Sequence, residues 1–192
     1  MAVWSAVRLS QMGRGMRLDP EFYQPYLLTY ETLLRNAPYP VRPLGELVRD
    51  GYRVVYENTE ILEIDGSESH TDAVRFLQAD DIHRSFPVIN TTGMGWVSRK
   101  DWDRYPKGRV NPGELLIEVK GLARKVAIVP DDFPRETLVS GSVFKLQTRP
   151  EVLDPYFLLA YLLTKFGVGF RFQCLTNTLI GFVNKEELYA IP

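Results

Sequence analysis

Two short apolar runs in the middle of the chain constrain the fold most. Residues 115–120 and 125–129 are rich in Leu, Ile and Val, and the link between them begins with Gly121. Runs of this length and composition are typical of β-strands, and a short link containing glycine joins two antiparallel strands. The sequence therefore predicts a β-hairpin here. A third strand is predicted at residues 138–146, with a bulge at Gly141.

Helix boundaries are marked by local sequence patterns. Pro25 fits the first turn of a helix that ends before residue 38, and Asp154-Pro155 combines an N-cap acceptor with a proline at the first helical position. We expect Gly167 to end this second helix. The pattern at residues 184–187 resembles a capping box and predicts a last short helix.

Shorter β-rich segments complete the pattern between these elements. They lie at residues 52–56, 61–64, 74–77 and 87–89. Together with the helices they predict an α/β fold of the α+β type, with a twisted, mostly antiparallel sheet and flanking helices. We expect an N-terminal helical segment, residues 1–40, to pack on a main domain formed by residues 41–192 within one globular unit.

Charge is distributed unevenly along the chain. The formal net charge of −1 over 192 residues argues against nucleic-acid binding, yet residues 57–81 contain eight acids and one base, whereas residues 96–125 contain eight bases and four acids. A neutral protein with a basic middle segment can still present a basic face to DNA. Solvated surface charge is the plainer interpretation of both segments.

The sequence offers little support for catalysis or for a membrane location. Residues 166–170 match the F-x-G-x-G pattern of S-adenosylmethionine sites and residues 154–157 resemble a methyltransferase loop, but a glycine cofactor loop needs a preceding strand, and here a helix is predicted. His70 and His83 lack further ligands at metal-binding spacing, and Cys174 fits a buried thiol. No apolar run could span a bilayer, so we expect a cytoplasmic protein.

The order of motifs along the chain resembles one recognition domain of the specificity subunit of Type I restriction–modification systems. Asn-Pro-Gly-Glu at 111–114 resembles the family's strand entry, with Glu114 where Asp is usual. Further matching segments lie at residues 17–25, 76–82, 120–129, 138–144, 154–162 and 188–192, although the Asn-Gln pair typical of the fourth of these is absent. The full subunit has two such domains joined by spacer helices, and this sequence contains one.

This resemblance implies a non-catalytic domain that recognises one half of a split DNA target. The implied partners are double-stranded DNA, methyltransferase subunits and, through them, a restriction and translocase subunit. S-adenosylmethionine, ATP and Mg²⁺ are expected only in those partner subunits, so this chain needs no cofactor of its own.

We predict DNA contacts from residue types that suit the duplex. Arg and Lys bind guanine or phosphates, and Asn or Gln binds adenine. The phosphate-binding candidates are Arg99, Lys100, Arg104, Lys107 and Arg109. The candidates for base recognition are Lys120, Arg124, Lys125, Arg171, Gln173, Thr176, Asn177 and Thr178. We expect Trp96, Trp102 and Tyr105 to anchor the core rather than to stack on bases.

Three other functions fit the same sequence. A protein-interaction module that docks on a methyltransferase would not need residues 96–125 to form one basic face. A nuclease or methyltransferase fragment would need clustered acids, or a strand leading into residues 166–167. A recognition domain within a single-chain methyltransferase–nuclease would keep the DNA-binding function and change only the partner.

Overall fold

Six helices and seven strands make up the part of the chain that the structure describes. This computed structural model describes residues 5–8, 12, 17, 19–54, 59–63, 72–175 and 181–192. The helices are α1 (Pro25–Arg35), α2 (Leu44–Leu47), α3 (Arg99–Arg104), α4 (Pro155–Leu163), α5 (Lys165–Gln173) and α6 (Lys185–Tyr189). The strands are β1 (Val48–Tyr52), β2 (Ala73–Leu77), β3 (Gly95–Ser98), β4 (Leu115–Glu118), β5 (Val126–Ile128), β6 (Thr137–Val139) and β7 (Val143–Thr148). None of these helices is long and apolar enough to cross a membrane.

The strands form two sheets. A four-stranded antiparallel sheet has the order β1-β7-β4-β5, and a three-stranded sheet has the order β3-β2-β6. The second sheet is mixed, because β2 pairs antiparallel with β3 and parallel with β6. The mixed α/β class and the mostly antiparallel pairing predicted from the sequence are confirmed, but the strands are divided between two sheets.

The four-stranded sheet lies between the helices and the second sheet. Leu115 and Ile117 of β4 pack with residues of α4, α5 and α6, whereas Leu116 packs with Leu77 and Val139 of the second sheet. All four residues of β4 are buried, since successive side chains point to opposite faces and both faces are covered. A central strand of this kind has a continuous apolar sequence, which is the pattern that predicted it.

The N-terminal helix packs against α5. Leu27 is fully buried, and the Tyr30 ring centroid lies 4.6 Å from that of Phe166. Leu34 lies at the edge of the same core, so α1 packs inward through one apolar face. The predicted N-cap of α4 is also present, because the Asp154 carboxylate accepts hydrogen bonds from the backbone N–H groups of Tyr156 and Phe157.

The predicted single strand at residues 138–146 is wrong. The chain forms β6 and β7 there, in different sheets, with a turn between them. The hydroxyls of Ser140 and Ser142 lie 2.6 Å apart, and Ser142 Oγ also accepts a hydrogen bond from the backbone N–H of Ala79 at 3.1 Å. Short hydroxyl side chains compete with strand pairing in this way, and they let the chain change sheets.

Two other predicted boundaries also need correction. The strand predicted at residues 52–56 is β1, which ends at Tyr52, and residues 55–58 lie outside the described part. Gly167 does not end a helix: α4 ends at Leu163, and Gly167 lies in the first turn of α5. The Thr164 hydroxyl caps α5 by accepting a hydrogen bond from the Gly167 N–H.

Candidate nucleic-acid interface

Two connections between strands meet at one end of the molecule. Residues 78–94 join the end of β2 to β3, and residues 119–125 join β4 to β5. The ammonium group of Lys125 bridges them, because it donates to the backbone oxygen of Ala79 at 2.9 Å and to the Asp80 carboxylate at 2.6 Å. We call the two connections, together with the chain segments next to them, the loop end.

The 119–125 turn presents three side chains to solvent. Lys120, Leu122 and Arg124 are exposed, and Leu122 is an exposed apolar residue between the two cations. Gly121 has φ +109°, a conformation that glycine adopts without strain. The predicted hairpin is confirmed, with Leu116 opposite Ala127 in the ladder.

A third cation, Arg53, lies beside the loop end, where it contacts an aromatic ring. Lys120 forms an isolated antiparallel bridge with Phe182, so their side chains lie on the same side of the pair. The guanidinium carbon of Arg53 lies 4.1 Å from the centroid of the Phe182 ring, which is cation–π geometry. Arg53, Phe182 and Lys120 are therefore neighbours beside the turn.

The 78–94 connection adds polar and aromatic groups that the sequence predictions missed. Arg84 and Phe86 are exposed, and the local backbone is ordered by His83, whose Nδ1 accepts hydrogen bonds from two following N–H groups at 3.1 and 3.2 Å. The Asn90 side-chain oxygen accepts hydrogen bonds from the N–H and hydroxyl of Thr92. The turn-forming sequence Asn-Thr-Thr-Gly at 90–93 was the available sign of an exposed loop.

The charge of the loop end is mostly positive among the described residues. Within them, neither Arg84 nor Lys120 nor Arg124 forms an ion pair. Asp80 is neutralised by Lys125. Exposed carboxylates also occur at residues 60 and 63, near β3, since the intervening Leu62 donates its N–H to Trp96. The predicted acidic stretch is only partly described, because residues 57–58 and 64–71 lie outside the described part.

Three predicted contact residues do not have the exposure that DNA binding needs. Lys125 is held by its bonds to Ala79 and Asp80. Arg171 is fully buried, and its guanidinium donates to the backbone oxygens of Leu162 and Gly167.

Gln173 is only 8% exposed, and its side-chain amide donates to the backbone oxygen of Phe22 and to the Glu31 carboxylate. Both Arg171 and Gln173 are therefore corrected from DNA contacts to structural residues that join helices. Thr176, Asn177 and Thr178 lie outside the described residues.

The predicted phosphate-binding residues form a separate group around α3. Lys100, Arg104 and Lys107 are exposed. Arg99 forms a two-bonded ion pair with Glu136 at 3.0 and 2.8 Å, and Arg109 stacks on Trp102 at 4.5 Å.

Two of the three aromatic residues of this region pack on the core, as predicted. Trp102 and Tyr105 pack against the buried cluster that contains Phe76 and Leu138. The face of Trp96 is covered by the Arg75 guanidinium, 3.9 Å from the ring centroid.

The start of α3 and the loop end lie at opposite ends of β2. The α3 helix begins where Arg99 donates its N–H to the backbone oxygen of Asp72, whereas the loop end is attached at Ala79. Seven residues of extended chain span roughly 20 Å. Arg109 lies between these ends, because it bridges to Leu138, which pairs with Phe76 of β2. The basic stretch at residues 96–125 is therefore spread along the length of β2.

The described residues show no arrangement for catalysis by a metal or a thiol. Among them, no group of three or more His, Cys, Asp and Glu could hold a metal ion. Cys174 is buried, its thiol donates to the backbone oxygen of Glu187 at 3.3 Å, and burial raises its pKa to about 12. A thiol in this state is a poor nucleophile. The pattern at residues 166–170 lies within α5 and follows α4, so the strand that a glycine cofactor loop needs is not there.

Comparison with known proteins gives matches among solved structures only. No family model and no curated protein matches the chain. It is similar to the S subunit of a Type I restriction–modification system from M. genitalium, with a TM-score of 0.44 and 15% identity over 78% of this chain and 32% of that one.

Two further solved structures are similar to the chain. One belongs to a study of assembly and conformational transition in the type I restriction–modification system, with a TM-score of 0.48 and 16% identity over 86% of this chain and 38% of that one. The other is the HsdS subunit from Thermoanaerobacter tengcongensis, with a TM-score of 0.37 and 17% identity over 86% of this chain and 41% of that one. The chain thus spans about a third to two fifths of the length of these proteins.

Proposed function

We propose that this chain binds double-stranded DNA through its loop end, as a target-recognition domain of a Type I restriction–modification specificity subunit. The observation that supports this most is the meeting of two connections at one end, with exposed Arg84, Lys120 and Arg124 that form no ion pair within the described residues. The family assignment rests on the order of sequence motifs.

The chemistry of these side chains suits the edges of base pairs. Arg and Lys donate to the O6 and N7 atoms of guanine in the major groove, and the amide of Asn pairs with adenine. Arg84, Lys120 and Arg124 supply the first kind of group, whereas the side-chain oxygen of Asn90 is already bonded to Thr92. The Thr-Asn-Thr segment at 176–178 remains a candidate for base recognition, since it follows α5 and precedes Gly181, whose oxygen accepts a hydrogen bond from the Gly121 N–H.

The α3 group fits a supporting role through phosphate contacts. Lys100, Arg104 and Lys107 are exposed, and the start of α3 lies roughly 20 Å from the loop end along β2. Six base pairs of duplex have about that length, so a duplex aligned with β2 would be long enough to span this distance. Phosphate contacts of this kind fix the register of a protein on DNA and do not specify sequence.

Methylation, cleavage and translocation belong to the partner subunits in this proposal. The chain recognises one half of a bipartite target, and the methyltransferase subunits with their S-adenosylmethionine, and the restriction subunit with ATP and Mg²⁺, act on the DNA that it selects. These assignments follow from the sequence resemblance.

Methylome sequencing tests the family-level function. We expect that deletion of the locus from the source strain removes methylation of adenine at one split motif and leaves other methylated motifs unchanged. Complementation with the gene should restore that motif. An unchanged methylome in the deletion strain would contradict a specificity role.

Salt-dependent binding tests the loop end as the interface. We expect Lys120→Ala/Arg124→Ala to weaken binding to a fluorescent 30-base-pair duplex. We also expect it to flatten the dependence of log K on log salt, because two cations are removed from the surface that meets the negatively charged duplex. The wild-type chain, isolated from any partner, should itself bind the duplex weakly, since a small module makes few contacts. Titrations between about 50 and 200 mM salt supply the slope.

The matched control removes two exposed cations from the other group. Lys100→Ala/Arg104→Ala changes the net charge equally, so a general electrostatic effect would lower the affinity as much as the loop-end variant does. We expect a smaller loss of affinity from it, because the α3 side chains contact only phosphates, whereas the loop-end side chains also contact base edges. An equal loss of affinity in both variants, or a larger loss in the control, would indicate that α3 and not the loop end is the main DNA interface.

A protein-interaction module is the second candidate, and one observation favours it. Tyr156 and Phe157 on α4 are 64% and 67% exposed, and Leu163 on the same helix is 44% exposed. Exposed apolar side chains in proximity are typical of protein contacts. This surface is compatible with docking on a methyltransferase subunit while the loop end binds DNA.

A further inference from the structure

The turn between β4 and β5 is held by a buried carboxylate. Glu118 is 7% exposed, and its Oε2 accepts hydrogen bonds from the backbone N–H groups of Arg124 at 2.8 Å and Lys125 at 3.3 Å. Both N–H groups follow Ala123, which has φ +50°. Backbone N–H groups that converge in such a turn form an anion-binding concavity. In this protein its own Glu118 fills that concavity.

This arrangement determines which groups of the turn can meet DNA. The backbone N–H groups of Arg124 and Lys125 are already bonded to Glu118, so they are not available to a phosphate. The exposed groups are the side chains of Lys120, Leu122 and Arg124. Contact with DNA through this turn therefore depends on where its backbone directs those side chains.

A buried cation on α5 lies near the carboxylate. Arg171 is fully buried, and its pKa is lowered to about 10 by burial, an effect that the negative charge of Glu118 opposes. Two guanidinium nitrogens of Arg171 donate to backbone oxygens at the start of α5 and the end of α4, and its Nη1 has no hydrogen-bond partner among the described residues.

We propose that Glu118 is a positioning residue for DNA recognition, which fixes the backbone of the 119–125 turn so that Lys120 and Arg124 face the duplex. Glu118 itself does not contact DNA. This inference rests on the proposed function of the loop end and adds to it the residue that orders its turn.

Replacement of Glu118 separates positioning from simple electrostatics. Removal of an acid next to a DNA-binding surface should strengthen binding if charge alone mattered. We expect the opposite for Glu118→Ala: about tenfold weaker binding to the 30-base-pair duplex at fixed salt. Glu118→Gln keeps an oxygen acceptor for the two N–H groups, so its affinity should stay within about threefold of the wild type. Wild-type or tighter binding by Glu118→Ala would overturn the inference.

Two further measurements address the mechanism. In the Arg124→Ala background, Glu118→Ala should weaken binding by less than about threefold, because coupled residues are not additive. Full additivity of the two losses would overturn the inference. If Glu118→Ala does not fold, Gly121→Ala replaces it. A Cβ there would lie 3.0 Å from Glu118 Oε1 at φ +109°, so this variant should also bind about tenfold more weakly, and unchanged affinity would count against the proposal.

Hydrogen exchange reports on the turn without DNA. The N–H groups of Arg124 and Lys125 should exchange at least about tenfold faster in Glu118→Ala than in the wild type, and slowly in Glu118→Gln. Equal protection in all three proteins would show that Glu118 does not order the turn. If the wild type binds no DNA while this exchange pattern appears, the proposed function fails and the structural role of Glu118 stands.

Discussion

Lys145→Met is expected to destabilise the fold by about 3–5 kcal/mol, a large part of the stability of an ordinary domain. Lys145 and Glu114 form an ion pair at 2.7 Å, with side chains only 10% and 8% exposed. The same ammonium group donates to the backbone oxygen of Arg109 at 2.7 Å, and the Glu114 carboxylate accepts from the N–H of Asn111 at 2.8 Å. Removal of the lysine leaves a buried carboxylate without its counter-ion. Urea unfolding at 25 °C measures the loss.

A second variant identifies the cause of that loss. Glu114→Gln/Lys145→Met removes both charges, so it should recover a substantial part of the stability lost in Lys145→Met. Lys107→Met is the matched control, because Lys107 is exposed and its replacement should change stability by less than about 0.5 kcal/mol. A double variant no more stable than Lys145→Met would show that lost packing, and not the unpaired charge, dominates.

The pair also connects two regions of the molecule. Lys145 lies on β7, and Arg109, whose backbone oxygen it bonds, stacks its side chain on Trp102 of α3. Trp102 in turn packs on the core of the second sheet. The position of the α3 cations relative to the four-stranded sheet therefore depends on a buried interaction. Glu114 supplies the carboxylate of this interaction, and it stands where Asp is usual in the strand-entry motif that residues 111–114 resemble.

Local patterns allowed the helix starts and the hairpin to be predicted. Proline and an acidic cap mark α4, and Asn184 accepts a hydrogen bond from the N–H of Glu187 at the start of α6, as the capping pattern indicated. The two runs of the hairpin are contiguous in sequence, so their pairing needs only a short turn. Each of these features depends on residues within a few positions of one another.

Long-range packing determined what the sequence did not reveal. The separation of β6 from β7 depends on pairing with β2 in one sheet and with β1 and β4 in the other. Residue type predicts Arg171 and Gln173 as DNA contacts, although they stand among the apolar residues Phe170 and Phe172. That apolar context was the available sign of burial. The spread of the basic stretch follows from the length of β2, which composition does not show.

The corner between α4 and α5 is the place where one added methyl group should do most damage. A Cβ on Gly167 would lie 2.5 Å from the Cα and 2.9 Å from the carbonyl carbon of Leu162, and still closer to the backbone oxygen of Tyr161. These are backbone atoms of the last turn of α4, so no change of rotamer can relieve the contact. The two helices would have to separate, and the hydrogen bond from Arg171 to the Leu162 oxygen, now 3.0 Å, would lengthen.

Gly167→Ala should therefore cost about 3 kcal/mol or more, at the upper end of overpacking effects, and should lower the urea midpoint accordingly. Gly169→Ala is the matched control two residues further along α5. Its Cβ would meet only side-chain atoms, of Leu27 at 3.0 Å and Tyr30 at 3.2 Å, which can shift, and alanine favours a helix by about 1 kcal/mol over glycine. We expect a net change below about 1 kcal/mol there. A similar loss in both variants would mean that the corner is not specially tight, and would weaken the view that the glycines of residues 166–170 serve helix packing rather than a cofactor.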